Sequence, residues 1–270
     1  MLVLLSGCAT PADRDPAARL AAALASRPLV LLGEVHDNAA QHALRAEALR
    51  RWVATGARPA LLMEQFDRER QPAIDAALAR PGVDLDAVIA AGAPDPAARR
   101  GWDWRFYRPY IALALAYRLP LVAANVSRSD ARTASQSGLA ALGFDPVVPA
   151  DIAAAQAQAI VDGHCGAIDA AQAAPLVASQ VARDQFMARL LQEHAGRGAV
   201  LLAGNGHVRS DIGVPRWLAP ALRARSVSIG LVEAPPGDVD PSVYDLAITT
   251  AAQRRDDQCA GLRGHAPVAR

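Results

Sequence analysis

The chain has 270 residues, 52% hydrophobic and 20% charged, which is the balance of a folded globular protein and excludes a disordered chain. Its 28 basic residues against 27 acidic ones leave a formal charge of +1, so there is no basic field to hold nucleic acid. Every basic residue is Arg, and a chain without lysine has no P-loop Lys, no pyridoxal Schiff-base Lys and no Ser–Lys dyad.

In chain order, Leu2 to Leu5 form a short apolar run, and Leu5-Ser6-Gly7-Cys8 then reads as a bacterial lipobox, cut before the cysteine, which is lipidated. The run is shorter than a usual signal core, so residues 1–8 are expected to be a truncated lipoprotein signal. Residues 9–27, opening on Ala9-Thr10-Pro11-Ala12, are expected to be a tether to the membrane. No stretch of about 18 apolar residues follows that would span a bilayer as a helix.

Short apolar runs then recur at Leu29–Leu32, Ala60–Met63, Leu119–Ala124, Ala199–Ala203, Ser226–Val232 and Leu246–Thr249. Runs without alternation suit strands buried on both faces, and helix-length spacers suit crossover connections. Helices are expected at 38–54, 67–79, 105–118, 148–162, 172–195 and 215–223. The pattern predicts an α/β domain over 28–250: a mostly parallel sheet flanked by helices, with a helical insertion or lid at about 127–195. Residues 251–270 are left as a C-terminal tail. Cys165 and Cys259 are able to pair in an oxidising compartment, but spacing alone does not identify their partners.

Ligands of open α/β sheets bind beyond the carboxyl ends of the strands, so the residues there are the informative ones. The first strand delivers Gly33-Glu34-Val35-His36-Asp37-Asn38, the second Glu64-Gln65 and a later one Gly204-Asn205-Gly206-His207. Two G-x-x-H turns and a glutamate on one rim form a reasonable set for a divalent metal or for acid–base work. Glu34, His36, Asp37, Asn38, Glu64, Asn205 and His207 are therefore the candidate rim residues. Asp37 and Asn38 also suit capping of the helix that follows. The glycines after Ala203 lack the last position of a dinucleotide fingerprint, since Arg209 stands there.

Leu31-Leu32-Gly33-Glu34-Val35-His36-Asp37-Asn38, Met63-Glu64-Gln65 and Leu202-Ala203-Gly204-Asn205-Gly206-His207 resemble the ChaN-like haem-binding lipoprotein family. That family lies within the Tiki/TraB/erythromycin-esterase-like superfamily. Gly101-Trp102-Asp103-Trp104, Gly163-His164-Cys165-Gly166 and Arg183-Asp184 add to the resemblance, which spans about 28–250. Where the family often doubles a histidine, this chain has Gln41-His42.

The resemblance implies a haem-binding lipoprotein of the bacterial outer membrane, periplasm-facing or at the surface, taking part in haem or iron uptake. Other superfamily branches imply the alternative: a hydrolase using Glu34, His36, Glu64 and His207, with or without a metal. Haem needs apolar walls and an axial donor, so the ring is expected beside the polar rim and under the helical insertion. There His164 is the leading donor, Tyr107 and Tyr110 the reserve, and Arg183, with Arg105 and Arg108, a partner for propionates. A pocket that leaves one haem face exposed favours a homodimer.

Overall fold

The computed structural model describes residues 15–95, 101–235, 240–257 and 259–260. Cys8 and the lipobox lie outside the described residues. Six strands, β1 (Leu29–Leu32), β2 (Ala60–Asp67), β3 (Leu121–Asn125), β4 (Ala199–Leu202), β5 (Ser226–Ala234) and β6 (Leu246–Ala251), form one sheet in the order β3-β2-β4-β1-β5-β6. Every pairing is parallel. The fold is α/β.

Alternation along each central strand explains why the apolar runs are unbroken. Val30, Leu32, Leu61, Met63, Val200 and Leu202 face one core, while Leu29, Leu31, Ala60, Leu62, Ala199 and Leu201 face another. A strand covered on both faces has no solvent side and therefore no polar positions. The first face is covered by α1 (Pro16–Leu24), α2 (Ala39–Ala54), α3 (Gln71–Leu78), α4 (Leu85–Gly92) and α5 (Trp104–Tyr117). Helix α1 overlaps the segment expected to be a tether. Asp15 caps it, Pro16 opens it, and Leu20 and Leu24 are fully buried against the core, so the folded unit begins before residue 28.

Between β3 and β4 lie α6 (Arg128–Ser137), α7 (Ala150–Gly163) and α8 (Ala170–Glu193). They share a third apolar cluster built on Val126, Phe144, Ile160, Val177 and Val181, and the end of α8 packs on the second face of the sheet. Asp169 and Gln172 form a capping box that starts α8. Residues 205–208 make a single turn, α9; over 215–223, where one helix was expected, stand a 3-10 turn (Val214–Trp217) and a second single turn, α10 (Pro220–Arg223). Cys165 and Cys259 form a disulfide across 94 residues, joining the turn after α7 to the segment that follows β6.

Candidate functional site

The sheet order places β2, β4 and β1 side by side at its centre, with Met63 and Leu32 both in register with Leu202. Glu34, Glu64 and His207, which follow these strands or extend them, therefore meet on one edge. Glu64 lies inside β2, three residues before its end, so this strand runs further than its apolar run suggested.

Glu34 is buried and fully engaged. Its Oε1 accepts from the Tyr107 hydroxyl at 2.6 Å and from His36 Nδ1 at 2.9 Å, and the buried Arg45 guanidinium pairs with Oε2. Arg45 also donates to the Leu32 carbonyl at 3.0 Å, which ties α2 to the end of β1. His36 is the exposed member: half of its side chain is open, and the edge-on Trp102 ring lies 4.9 Å away. With Nδ1–H given to Glu34, its Nε2 carries the lone pair.

A second couple stands opposite. His207 Nδ1 donates to Asp184 of α8 at 2.6 Å, its Nε2 lies 3.5 Å from Glu64 Oε1, and the Gly204 amide donates to Glu64 Oε2 at 2.7 Å. Burial opposes the imidazolium, but Asp184 and Glu64 together hold the His207 pKa up at about 10. Burial raises Glu64 too, yet the charge of His207, with help from His36 and the Gly204 amide, brings it down to about 2. Asp184 is raised, because its burial outweighs the His207 charge. His207 is thus a clamped cation, while His36 is the half-open member of the pair. Gly204 lets the two couples approach: a Cβ there would stand 2.8 Å from the His36 ring.

Both histidines line one cleft of about 550 Å³, together with Gln65, Asp67, Arg128 and Arg183. His207 and Gln180 also line an adjoining hollow of about 270 Å³, walled by Ala159, Ile160 and Ile212 and by His164 at the end of α7. His164 Nδ1 lies 2.7 Å from the Ile160 carbonyl, so it is the protonated nitrogen and Nε2 keeps its lone pair. His164 and Arg183 thus line neighbouring hollows that share His207 and Gln180.

Other expected site residues take different parts. Tyr107 and Tyr110 are fully buried. The first props Glu34 and the second packs its hydroxyl beside His42. Asn38 caps α2 and donates to Glu233 and to the Ala251 carbonyl, while Asp37 pairs with Arg255. Asn205 bridges the Leu231 backbone. These three stitch the rim to β5, β6 and the tail instead of facing the cleft. Arg105 and Arg108 pair with Asp103 and Asp86 on the surface. Among the described residues no group of three or more His, Cys, Asp or Glu is arranged to hold a metal ion. The reason is visible: Glu34 is spent on Arg45, Tyr107 and His36, and His207 on two carboxylates.

Sequence reasoning passed over Arg45, Gln65 and Arg128. Arg45 carried a signal, an arginine among the core-facing positions His42, Ala48 and Leu49 of α2. A charge on an apolar stripe asks for a buried partner.

Comparison with known proteins adds a family and a fold. The family model described as "Haem-binding uptake, Tiki superfamily, ChaN" matches residues 20–218. Among solved structures the fold is similar to ChaN of Campylobacter jejuni, described as showing cofacial haem binding, at a TM-score of 0.69 and 19% identity, covering 84% of this chain and 89% of that one. It is also similar to the type III effector HopBA1, at a TM-score of 0.52 and 16% identity, covering 93% of this chain and all of that one (100%). No curated protein matches the chain.

Proposed function

This chain belongs to the ChaN family of haem-binding uptake proteins in the Tiki superfamily, and on that premise we propose that it binds haem in the groove beside the rim, as a lipoprotein of the outer membrane. The observation that carries the reading is His164. Its Nδ1 is pinned to the Ile160 carbonyl, its Nε2 keeps a lone pair, and the hollow it lines has apolar walls. The residues present fit the group: the His164 imidazole as axial donor, apolar contact from Ile160 and Ile212, and Arg183, which makes no direct ion pair among the described residues, for a propionate. His207 is unsuited as a donor, since its two carboxylates keep it protonated. An open groove leaves one haem face uncovered, and a second copy of the chain is the natural cover, in line with the cofacial binding described for the Campylobacter protein.

Titration with hemin tests this. A saturable Soret shift is expected, altered in position and weakened by His164→Ala and less so by His207→Ala. Anchoring is tested separately: expressed behind a complete lipoprotein signal peptide, the chain is expected in the membrane fraction acylated on Cys8, and unmodified Cys8 in a soluble fraction removes the anchor.

A second reading is favoured by the rim itself. His36, held by Glu34 and half open to the cleft, is built to take a proton from water, and His207 is a fixed cation beside it. The chain would then be a metal-free hydrolase. Absence of a Soret shift, together with ester turnover abolished by His36→Gln, favours it over haem.

A further inference from the structure

The cleft that the two histidines line also carries polar groups that the fold leaves short of partners. Gln65 is 5% exposed and lines the cleft; among the described residues the Tyr107 hydroxyl is its one near partner, and neither its amide nitrogen nor its amide oxygen reaches a hydrogen bond of normal geometry. Buried side-chain amides are ordinarily paired, and one left short of partners on a cavity wall is the mark of a missing ligand.

Charge says what kind. Beyond Asn125 the chain enters α6, whose first residues Ser127, Arg128 and Ser129 line the same cleft and present the positive end of the helix to it. Arg183 reaches the wall from α8. Neither Arg128 nor Arg183 forms a direct ion pair among the described residues, whereas neighbouring Arg68 is spent on Asp130. Of the acidic groups on the cleft, Asp67 offsets one of these two charges and leaves the other. Asp67 is a single carboxyl flanked by both arginines, and burial raises its pKa to about 6. Glu64 is committed to His207 and the Gly204 amide, and Asp95 has interactions of its own.

We propose that Arg128, Arg183, the Gln65 amide and the amino end of α6 form a carboxylate-binding subsite. Resting on the haem reading, the occupant is a propionate arm, and the subsite sets which way the ring points along the groove. A guanidinium pair with a side-chain amide suits a planar, two-oxygen anion better than a point charge does.

The test compares hemin with hemin dimethyl ester on the full chain and on Arg128→Gln, Arg183→Gln and the double variant. Arg128 is exposed on the first turn of α6, so its variant keeps the fold. Each substitution is expected to weaken hemin about tenfold, the size of one charge-assisted hydrogen bond. The ester should bind the parent chain about as weakly as hemin binds the double variant, and should be indifferent to the substitutions. Equal affinity of acid and ester, or an unchanged hemin affinity in the double variant, overturns the subsite and leaves haem binding standing. If the parent chain does not bind hemin, the haem reading fails and malonate decides the subsite. A rise in Tm with malonate that the double variant lacks supports a site for free carboxylates, and no rise overturns it.

Discussion

His207 Nδ1 stands 2.6 Å from Asp184 Oδ1, linking the turn after β4 to the middle of α8. With Glu64 on the other nitrogen, the ring is a cation locked between two carboxylates at about pKa 10. Asp184→Asn removes one of them. The His207 titration followed by NMR should fall by roughly 1–3 pH units. A raised pKa stabilises the fold below the unfolded value of about 6.5 and the benefit disappears as pH rises through about 10. The parent chain should therefore lose stability between these values and the variant should lose less. An unmoved titration would show that Glu64 alone holds the proton.

His42 has the opposite sign. Buried against Phe106, with Nε2 on the His36 carbonyl at 3.0 Å, it is pushed down to about 4, chiefly by burial. The unfolded chain takes up the proton below about 6.5, so stability present above that value is lost as pH falls towards 4. The slope approaches about 1.4 kcal/mol per pH unit. His42→Gln should be less stable at pH 7 but show a flatter acid limb in urea midpoints at pH 7, 5.5 and 4.5. Parallel limbs would assign the acid loss to other groups.

Gly204→Ala is expected to cost about 1–3 kcal/mol, because the new methyl overlaps His36 Cε1 and Nε2. The cost should largely vanish in a His36→Ala background, where the ring is gone. Denaturant unfolding of the four proteins of that cycle gives the coupling, and additive costs would mean that the strain lies in the backbone instead.

The Cys165–Cys259 bond closes a loop of 94 residues next to His164. Reduction, or Cys259→Ser, should lower stability by roughly 2–4 kcal/mol. A non-reducing peptide map should show the crosslink, and unfolding curves that coincide with and without reductant would remove its contribution.

Much of the architecture was legible because burial on both faces leaves an unmistakable trace: β1 and β4 are unbroken apolar runs, and β2 opens on one. Their carboxyl ends were legible for the same reason, since Gly33-Glu34 and Gly204 mark where the apolar run stops. Helix α1 was not, as its nine residues are mostly alanine and only Leu20 and Leu24 report the buried side. The Asp15-Pro16 start was the signal that could have found it.

The tyrosines show where local pattern ends. Periodicity in α5 places Tyr107 and Tyr110 on a common stripe, but whether that stripe faces a ligand or a carboxylate depends on how α5 lies across the sheet. Likewise Asp184 is one polar residue in a 24-residue helix until His207 arrives from β4, and Cys165 finds Cys259 only through the fold. Composition and periodicity determined the strands, the layers and the rim, because those follow from the burial of neighbouring residues. The roles of Tyr107, Asp184, Gln65 and Arg128 were decided by tertiary structure, because a buried polar group takes its meaning from a partner distant in the chain.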